Sequence, residues 1–274
     1  MSGAIGPQLA SVPPGTRTPH GATDHVTYPV YPDLAGRTVI VTGGASGIGA
    51  AFVRAFRANK AQVVFLDIDT QAGEMLAADT GAHFLLCDLT DLDALRGAIE
   101  TIGHRHGDAS VLVNNAANDQ RQKFEEVGAA EFDWMMAVNF RHVYFAAQAV
   151  LPQMRAVGRG SIINMSSVAW MAGGPSLQAY SAAKAAIVGF TNSLARDVGA
   201  DRIRVNAIAP GMVITEHQRR LWYQDERRIA GARARQCLPD PIEPEDIAAA
   251  ALFLASDTSR AITKQCLVVN AGAR

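Results

Sequence analysis

The sequence predicts an α/β fold, a single domain built on a doubly wound parallel sheet of about seven strands with helices on both faces. Three observations predict it. Short, continuously apolar runs alternate with longer amphipathic stretches, the pattern of a parallel sheet covered on both sides. A glycine-rich turn joins the first such run to the first such stretch. The chain has 274 residues, enough for one large domain with a well-buried core.

Residues 1–35 read differently from the rest. Pro7, Pro13, Pro14, Pro19, Pro29 and Pro32 stand among Gly, Ser and Thr with no hydrophobic period. This predicts a flexible or extended N-terminal tail, or one that drapes over a neighbouring subunit, ahead of a domain spanning 36–274. Thr38–Val41 is the first strand and Ala50–Asn59 the first helix. Gln62–Leu66 and His83–Leu86 follow as strands, then a helix over Leu92–His104. Ser110–Val113 is a fourth strand, and Phe132–Arg155 reads as one long helix with Pro152 near its end. Ser161–Met165 is the fifth strand, Gln178–Val198 another long helix and Ile203–Ile208 the sixth strand. Helical stretches over Glu216–Cys237 and Pro244–Ala255 precede a last strand at Gln265–Val269. No internal repeat and no second domain is evident.

Composition narrows the function. A formal net charge of −1 gives no field toward nucleic acid or an anionic membrane. The arginines at 227, 228, 233 and 235 read as a solvated helix face. Cys87, Cys237 and Cys266 are odd in number, far apart and in no metal-like spacing, so no metal site is expected. That usage fits a reducing cytoplasm. No apolar run approaches the ~18 residues of a membrane span, and the N-terminus lacks a secretory pattern.

The first strand runs into Thr42-Gly43-Gly44-Ala45-Ser46-Gly47-Ile48-Gly49 and then into a helix. Glycine permits a tight turn and close backbone approach to a pyrophosphate. The helix start adds free amides and the positive end of a dipole. In its strand–turn–helix context the run predicts a Rossmann-type dinucleotide site built on Gly43, Ser46, Gly47, Ile48 and Gly49. Asp67 ends the second strand, where a carboxylate accepts ribose hydroxyls and repels a 2′-phosphate. No Arg or Lys follows in Ile68-Asp69, which favours NAD over NADP. Asp88-Leu89, after the third strand, either flanks the adenine or simply forms a turn.

Tyr180 and Lys184 stand four apart and share one helix face. A free tyrosine has a pKa near ~10, and to act as a base near neutrality it must fall by roughly 3–4 kcal/mol in relative terms. A cation one turn away supplies part of that. Spacing alone favours a surface pair, and only the companion motifs overturn that. Ser167 follows the fifth strand and Asn114-Asn115-Ala116 leaves the fourth, at the edge where open α/β sheets bind ligands. Asn139 lies among apolar helix residues, either for a structural hydrogen bond or to hold a water for proton relay.

Together these residues resemble the short-chain dehydrogenase/reductase family, over Arg37–Arg274. The resemblance rests on Thr42–Gly49, Asp67, Asp88, Asn114–Ala116, Asn139, Ser167, Tyr180, Lys184 and Pro210–Thr215. It implies Tyr180 as acid/base, Ser167 orienting the reacting oxygen, and Lys184 binding the nicotinamide ribose while lowering the Tyr180 pKa. It implies Asn139 completing a proton relay, and Asn115, Pro210, Val213 and Thr215 at the cofactor. Ala117 and Lys264 stand where the family commonly has glycine. A narrower resemblance, to bacterial aldose 1-dehydrogenases, rests on Asn114–Arg121, Leu221-Trp222-Tyr223, Ala234–Leu238 and Ala251–Asp257. It implies NAD-dependent oxidation of a sugar at C1 to a lactone by a homotetramer. Asn118, Asp119, Gln120, Arg121, Gln178, His217 and Arg219 suit a hydroxyl-rich ligand, and Trp170 and Trp222 offer flat faces to a sugar ring. A ketone reductase of the same fold, acting on a 3-oxoacyl thioester or ketosugar, is the alternative. A cofactor-binding sensor without turnover is the reading from another class.

Overall fold

The computed structural model describes residues 27–215 and 226–273. Strands β1 (Thr38–Thr42), β2 (Gln62–Asp67), β3 (His83–Leu86), β4 (Ala109–Asn114), β5 (Gly160–Met165), β6 (Ile203–Pro210) and β7 (Cys266–Val269) form one sheet. Its order is β3-β2-β1-β4-β5-β6-β7 and every pairing is parallel. The winding reverses between β1 and β4, which opens a crevice beyond the carboxyl ends of those strands.

The apolar runs are continuous because both faces are covered. Val39, Val41, Val63 and Phe65 join one buried cluster with Phe52 and Phe56 of helix α1 (Gly47–Ala58). Ile40, Val64 and Leu66 point the other way, into a second cluster. There they meet Leu95 and Ile99 of α3 (Leu92–His106), Met154 of α5 (His142–Val157) and Val198 of α7 (Gln178–Val198). A period of two thus feeds two cores at once.

Several expectations are corrected. Helix α1 begins at Gly47, three residues before the expected start, because the glycine turn itself winds into its first turn. Helix α2 (Thr70–Thr80) was not expected, since only Gly73 and Leu76 of its residues are buried. Its ends carry the missed signals: Asp69 caps Ala72 N at 3.0 Å, and Gly81 turns left-handed at φ 67°. The long helix expected over Phe132–Arg155 is broken. Helix α4 (Ala129–Met136) passes through a π-helical turn, Ala137–Arg141, into α5. Helix α6 (Ala169–Ala172) was also missed. Within the stretch expected helical to Cys237, α8 (Glu226–Arg233) stops at Arg233 and residues 216–225 lie outside the described residues. The last helix, α9 (Pro244–Ala255), matches its expected bounds, with a Glu243/Asp246 capping box at its start.

Residues 1–26 of the expected tail lie outside the described residues, but its last part is docked. Tyr31 N donates to Asn59 Oδ1 at 2.7 Å, Asn59 Nδ2 donates to Pro29 O at 3.0 Å, and Leu34 is fully buried. Buried Arg37 joins Asp33 at 2.7 Å to Asp257 at 2.9 Å, so residues 29–35 pack against the domain rather than hang free of it. Lys264 adopts φ 63°, which explains why glycine suits that turn, whereas Ala117 has no such backbone demand. Among the described residues no helix is long and apolar enough to cross a membrane.

Candidate active site

The glycine turn at the β1–α1 junction is shaped by contacts that leave no room for side chains. A Cβ on Gly49 would fall 1.9 Å from Gly43 O, and one on Gly44 would fall 2.6 Å from Phe65 Cβ. Gly43 and Gly47 hold φ 63° and 53°, which glycine tolerates without strain. Ser46 stands at the N-cap of α1 without a side-chain cap bond, so the positive end of the helix lacks its usual oxygen partner. That donor set, with no bulk in front of it, fits a pyrophosphate. Thr215 packs beside the turn, its Cγ2 3.2 Å from where a Gly47 Cβ would stand.

Asp67 is held rather than loose. Its Oδ2 accepts from Ala45 N at 2.8 Å and its Oδ1 from Ile68 N at 2.8 Å and Asp69 N at 3.1 Å. The carboxylate is therefore fixed at the tip of β2 beside the turn. Asp88 Oδ1 accepts from Thr90 N at 2.8 Å and Thr90 Oγ1 at 2.7 Å, which forms the turn after β3. Leu89 beside it is buried.

Asn115 supports the turn instead of reaching outward. Its Nδ2 donates to Gly43 O at 2.8 Å and Thr42 O at 3.1 Å, while its main-chain N donates to Thr42 Oγ1 at 2.9 Å. Asn139 occupies the π-helical turn, fully buried. Its Oδ1 accepts from Asn118 N at 2.9 Å and its Nδ2 donates to Asn118 O at 3.0 Å and Met135 O at 3.0 Å. Its side chain clamps the main chain of Asn118 and sets the loop that carries Asp119 and Arg121. Asn118 Oδ1 is itself engaged, accepting from Gln120 N at 2.9 Å. Arg121 is exposed and donates to Pro175 O at 3.4 Å.

Ser167, Tyr180 and Lys184 come together at the carboxyl ends of β5 and β6, across α7. Ser167 faces Tyr180 closely enough to draw its ionisation down, and Ser167 Oγ accepts from Ala169 N at 3.1 Å. Lys184 Nζ lies 5.5 Å from the centre of the Tyr180 ring and donates to Met165 O at 2.8 Å. Lys184 is buried, and burial pulls its pKa down to about 7, against the opposing pull of the Asp119 carboxylate. Burial pushes Tyr180 up to about 12, the Ser167 bond drawing it down and Asp119 raising it further. This corrects the expected direction for Tyr180. In the free protein burial outweighs every charge near the pair, raising Tyr180 and lowering Lys184.

Trp170 on α6 is partly exposed and Gln178 opens α7, both near the same edge. Pro210 ends β6 and its carbonyl accepts from Val168 N at 3.1 Å, while Val213 is buried and bridges Ile242. Trp222, His217 and Arg219 lie outside the described residues. Three residues beneath the site were missed in the sequence. Ser166 Oγ donates to Lys184 O at 2.8 Å. Asn164 accepts from Asn114 Nδ2 at 2.9 Å and donates to Thr191 Oγ1 at 3.0 Å, tying β4, β5 and α7 in a buried ladder. His142 donates toward Ala116 O at 3.1 Å. A polar residue in an otherwise apolar buried strand was the available signal for Asn164.

Known proteins carry the same chain plan. A family model described as enoyl-(acyl carrier protein) reductase matches residues 43–274. The probable galactose dehydrogenase GalD of Rhizobium meliloti (strain 1021) is 47% identical over 88% of this chain and 96% of its own length. The D-xylose 1-dehydrogenase of Caulobacter vibrioides (strain NA1000 / CB15N) is 42% identical over 89% of this chain and 98% of its own. A solved short chain dehydrogenase/reductase family protein superposes with a TM-score of 0.77 at 35% identity, covering 88% of this chain and 98% of that one.

Proposed function

Because the chain belongs to the short-chain dehydrogenase/reductase family, an oxidoreductase family that uses nicotinamide cofactors, we propose that it oxidises an aldose at C1 to the aldonolactone, with NAD as the acceptor. Pentoses, hexoses and 6-deoxy sugars are the substrate class. The reading is carried by the meeting of Ser167, Tyr180 and Lys184 at the carboxyl-end edge of the sheet that also carries the glycine turn. The sugar dehydrogenase relatives support the substrate class.

Bound oxidised nicotinamide supplies the hydride acceptor and a positive ring. Tyr180 Oη takes the proton of the C1 hydroxyl, and Ser167 Oγ, on the same side of the site, orients that oxygen. The C1–H bond breaks, its electron pair leaves as hydride, and C1=O of the lactone forms. Lys184, held on Met165 O, holds the nicotinamide ribose. With its proton retained, it favours the phenolate by charge. Gly43, Ser46, Gly47, Ile48 and Gly49 cradle the pyrophosphate. Asp67 accepts from the adenosine ribose and, with no neighbouring cation in Ile68-Asp69, disfavours a 2′-phosphate. Leu89, Pro210, Val213 and Thr215 line the remaining cofactor surface. Asn118, Asp119, Arg121, Ser167, Trp170 and Gln178 face the sugar, and Trp222 is assigned to it from the sequence alone. A homotetramer is the assembly. Phe132, Trp134 and Tyr144, exposed on α4 and α5, and Leu267 and Val268 on β7 suit burial between copies.

A panel of aldoses with NAD and NADP in parallel tests the reading. Turnover of one stereochemical set with NAD, yielding lactone and reduced cofactor, is the expected result. Silence across the panel while NADH still binds would instead favour a ketone reductase, the reading closer to the description of the matched family model. Asp67 weighs against that reading, since biosynthetic reductions draw on NADPH.

A further inference from the structure

His142 is a fully buried histidine that the mechanism above does not use. It opens α5 immediately after the π-helical turn, three residues beyond Asn139, so the two side chains share one helix face. They grip alternate residues of the same segment. Asn139 pairs with both the N–H and the carbonyl of Asn118, and His142 Nε2 lies 3.1 Å from the carbonyl of Ala116.

Ala116 is the residue against which the cofactor turn is pressed. A Cβ on Gly43 would stand 2.7 Å from Ala116 Cα, and Ala116 N donates to Thr42 Oγ1 at 3.2 Å. His142 thus holds the far side of a residue whose near side is the glycine turn.

The ring chemistry is one-sided. A carbonyl only accepts, so the neutral imidazole carries its proton on Nε2. Nδ1 then carries the lone pair, and no hydrogen-bond partner reaches it among the described residues. Burial and the nearby Lys184 charge hold the ring neutral, with its pKa drawn down to about 4. A leucine or phenylalanine would fill the space without stranding a buried nitrogen. A polar ring kept at that cost needs a task, and the Ala116 carbonyl is the group it reaches.

We propose that His142 is a positioning residue for the nicotinamide cofactor: its Nε2–H holds the Ala116 carbonyl so that the end of β4 stays pressed against the Gly43 turn. The proposal rests on the cofactor reading above.

The test compares His142→Leu with His142→Gln, whose amide N–H can reach the same carbonyl. NADH affinity is read by fluorescence titration, and kcat and KM for NAD by steady-state rates. His142→Leu is expected to raise the NADH Kd and the KM for NAD by about 5–20-fold, the loss of one hydrogen bond, with kcat within about threefold. His142→Gln is expected to restore both constants to within about threefold. Unchanged NADH binding in His142→Leu, equal weakness of the two variants, or a fall in kcat with KM unmoved overturns the proposal.

Should His142→Leu fail to fold, long-range proton–nitrogen NMR of the unmodified protein decides. The ring signal missing from His142→Gln should show the Nε2–H form and move when NADH is added. The Nδ1–H form, or no movement, overturns the proposal. Failure of the unmodified protein to bind NADH overturns the cofactor reading instead, so the two failures are distinct.

Discussion

Around the glycine turn, at the tips of β1, β2 and β4, the polar groups already have their partners. Asp67 accepts three backbone N–H groups, and Asn115 fastens the glycine turn through Gly43 O and Thr42 O. On the β5–β6 side the reacting groups sit against their own ionisation. Tyr180 is pushed up to about 12 and Lys184 down to about 7, both by burial. The first half is shaped in advance for a ligand, so binding there costs little reorganisation. The second half becomes competent only when charge arrives with the ligands. Binding and chemistry are therefore separable in this molecule, and substitutions should separate them.

The largest effect is expected from Tyr180→Phe, which removes the proton acceptor and leaves the glycine turn untouched. Turnover should fall on the order of 10²–10⁴-fold, with NADH affinity within about threefold by fluorescence titration. Retained turnover would break the comparison, because the proton would then have another acceptor. Gly49→Ala attacks the opposite half. Its methyl would land 1.9 Å from Gly43 O, so the turn must shift. NADH affinity should drop on the order of 10–100-fold, the usual reach of overpacking, while the Tyr180 environment is left as it is.

Lys184→Met sharpens the comparison through stability. The folded pKa of Lys184, about 7, lies below its ordinary value of 10.5. Between those two values the unfolded chain holds a proton that the folded chain releases, so this group makes stability rise with pH across that window. Below about pH 7 the whole penalty is present, and methionine removes it. The variant should be more stable than the parent at pH 6, by up to ~4 kcal/mol less about 1 kcal/mol for the lost bond to Met165 O. The gain should shrink as the pH approaches 10, followed by thermal melts across that range, and activity should be lost. A parent that is the more stable of the two at pH 6 would mean that the buried ammonium is not disfavoured.

Much of this was legible in the chain itself. Helix Gln178–Val198 matches its expected bounds because its apolar period is sustained, and Pro244–Ala255 because Pro244 marks the start of a nearly continuous apolar run. The strands were legible because burial on both faces leaves no polar interruption, as in Val39-Ile40-Val41. Helix Thr70–Thr80 was not, since a helix that buries two residues writes almost no period. The π-helical turn at Ala137–Arg141 was invisible for a related reason: one extra residue in a turn is a matter of packing against β4 and α7, and either winding suits the same apolar residues.

What the sequence determined by itself is the parallel sheet, the glycine turn at its switch point and the identity of the residues that gather there. Local pattern and backbone freedom suffice for those. The tertiary structure alone decided how those residues are charged and which are already spoken for. Asn139 and Asn115 clamp backbone, Asp88 closes a turn, and Tyr180 and Lys184 are displaced from their ordinary ionisation. Hydrogen-bond partners and desolvation come from residues distant in the chain, so no local reading of spacing contains them.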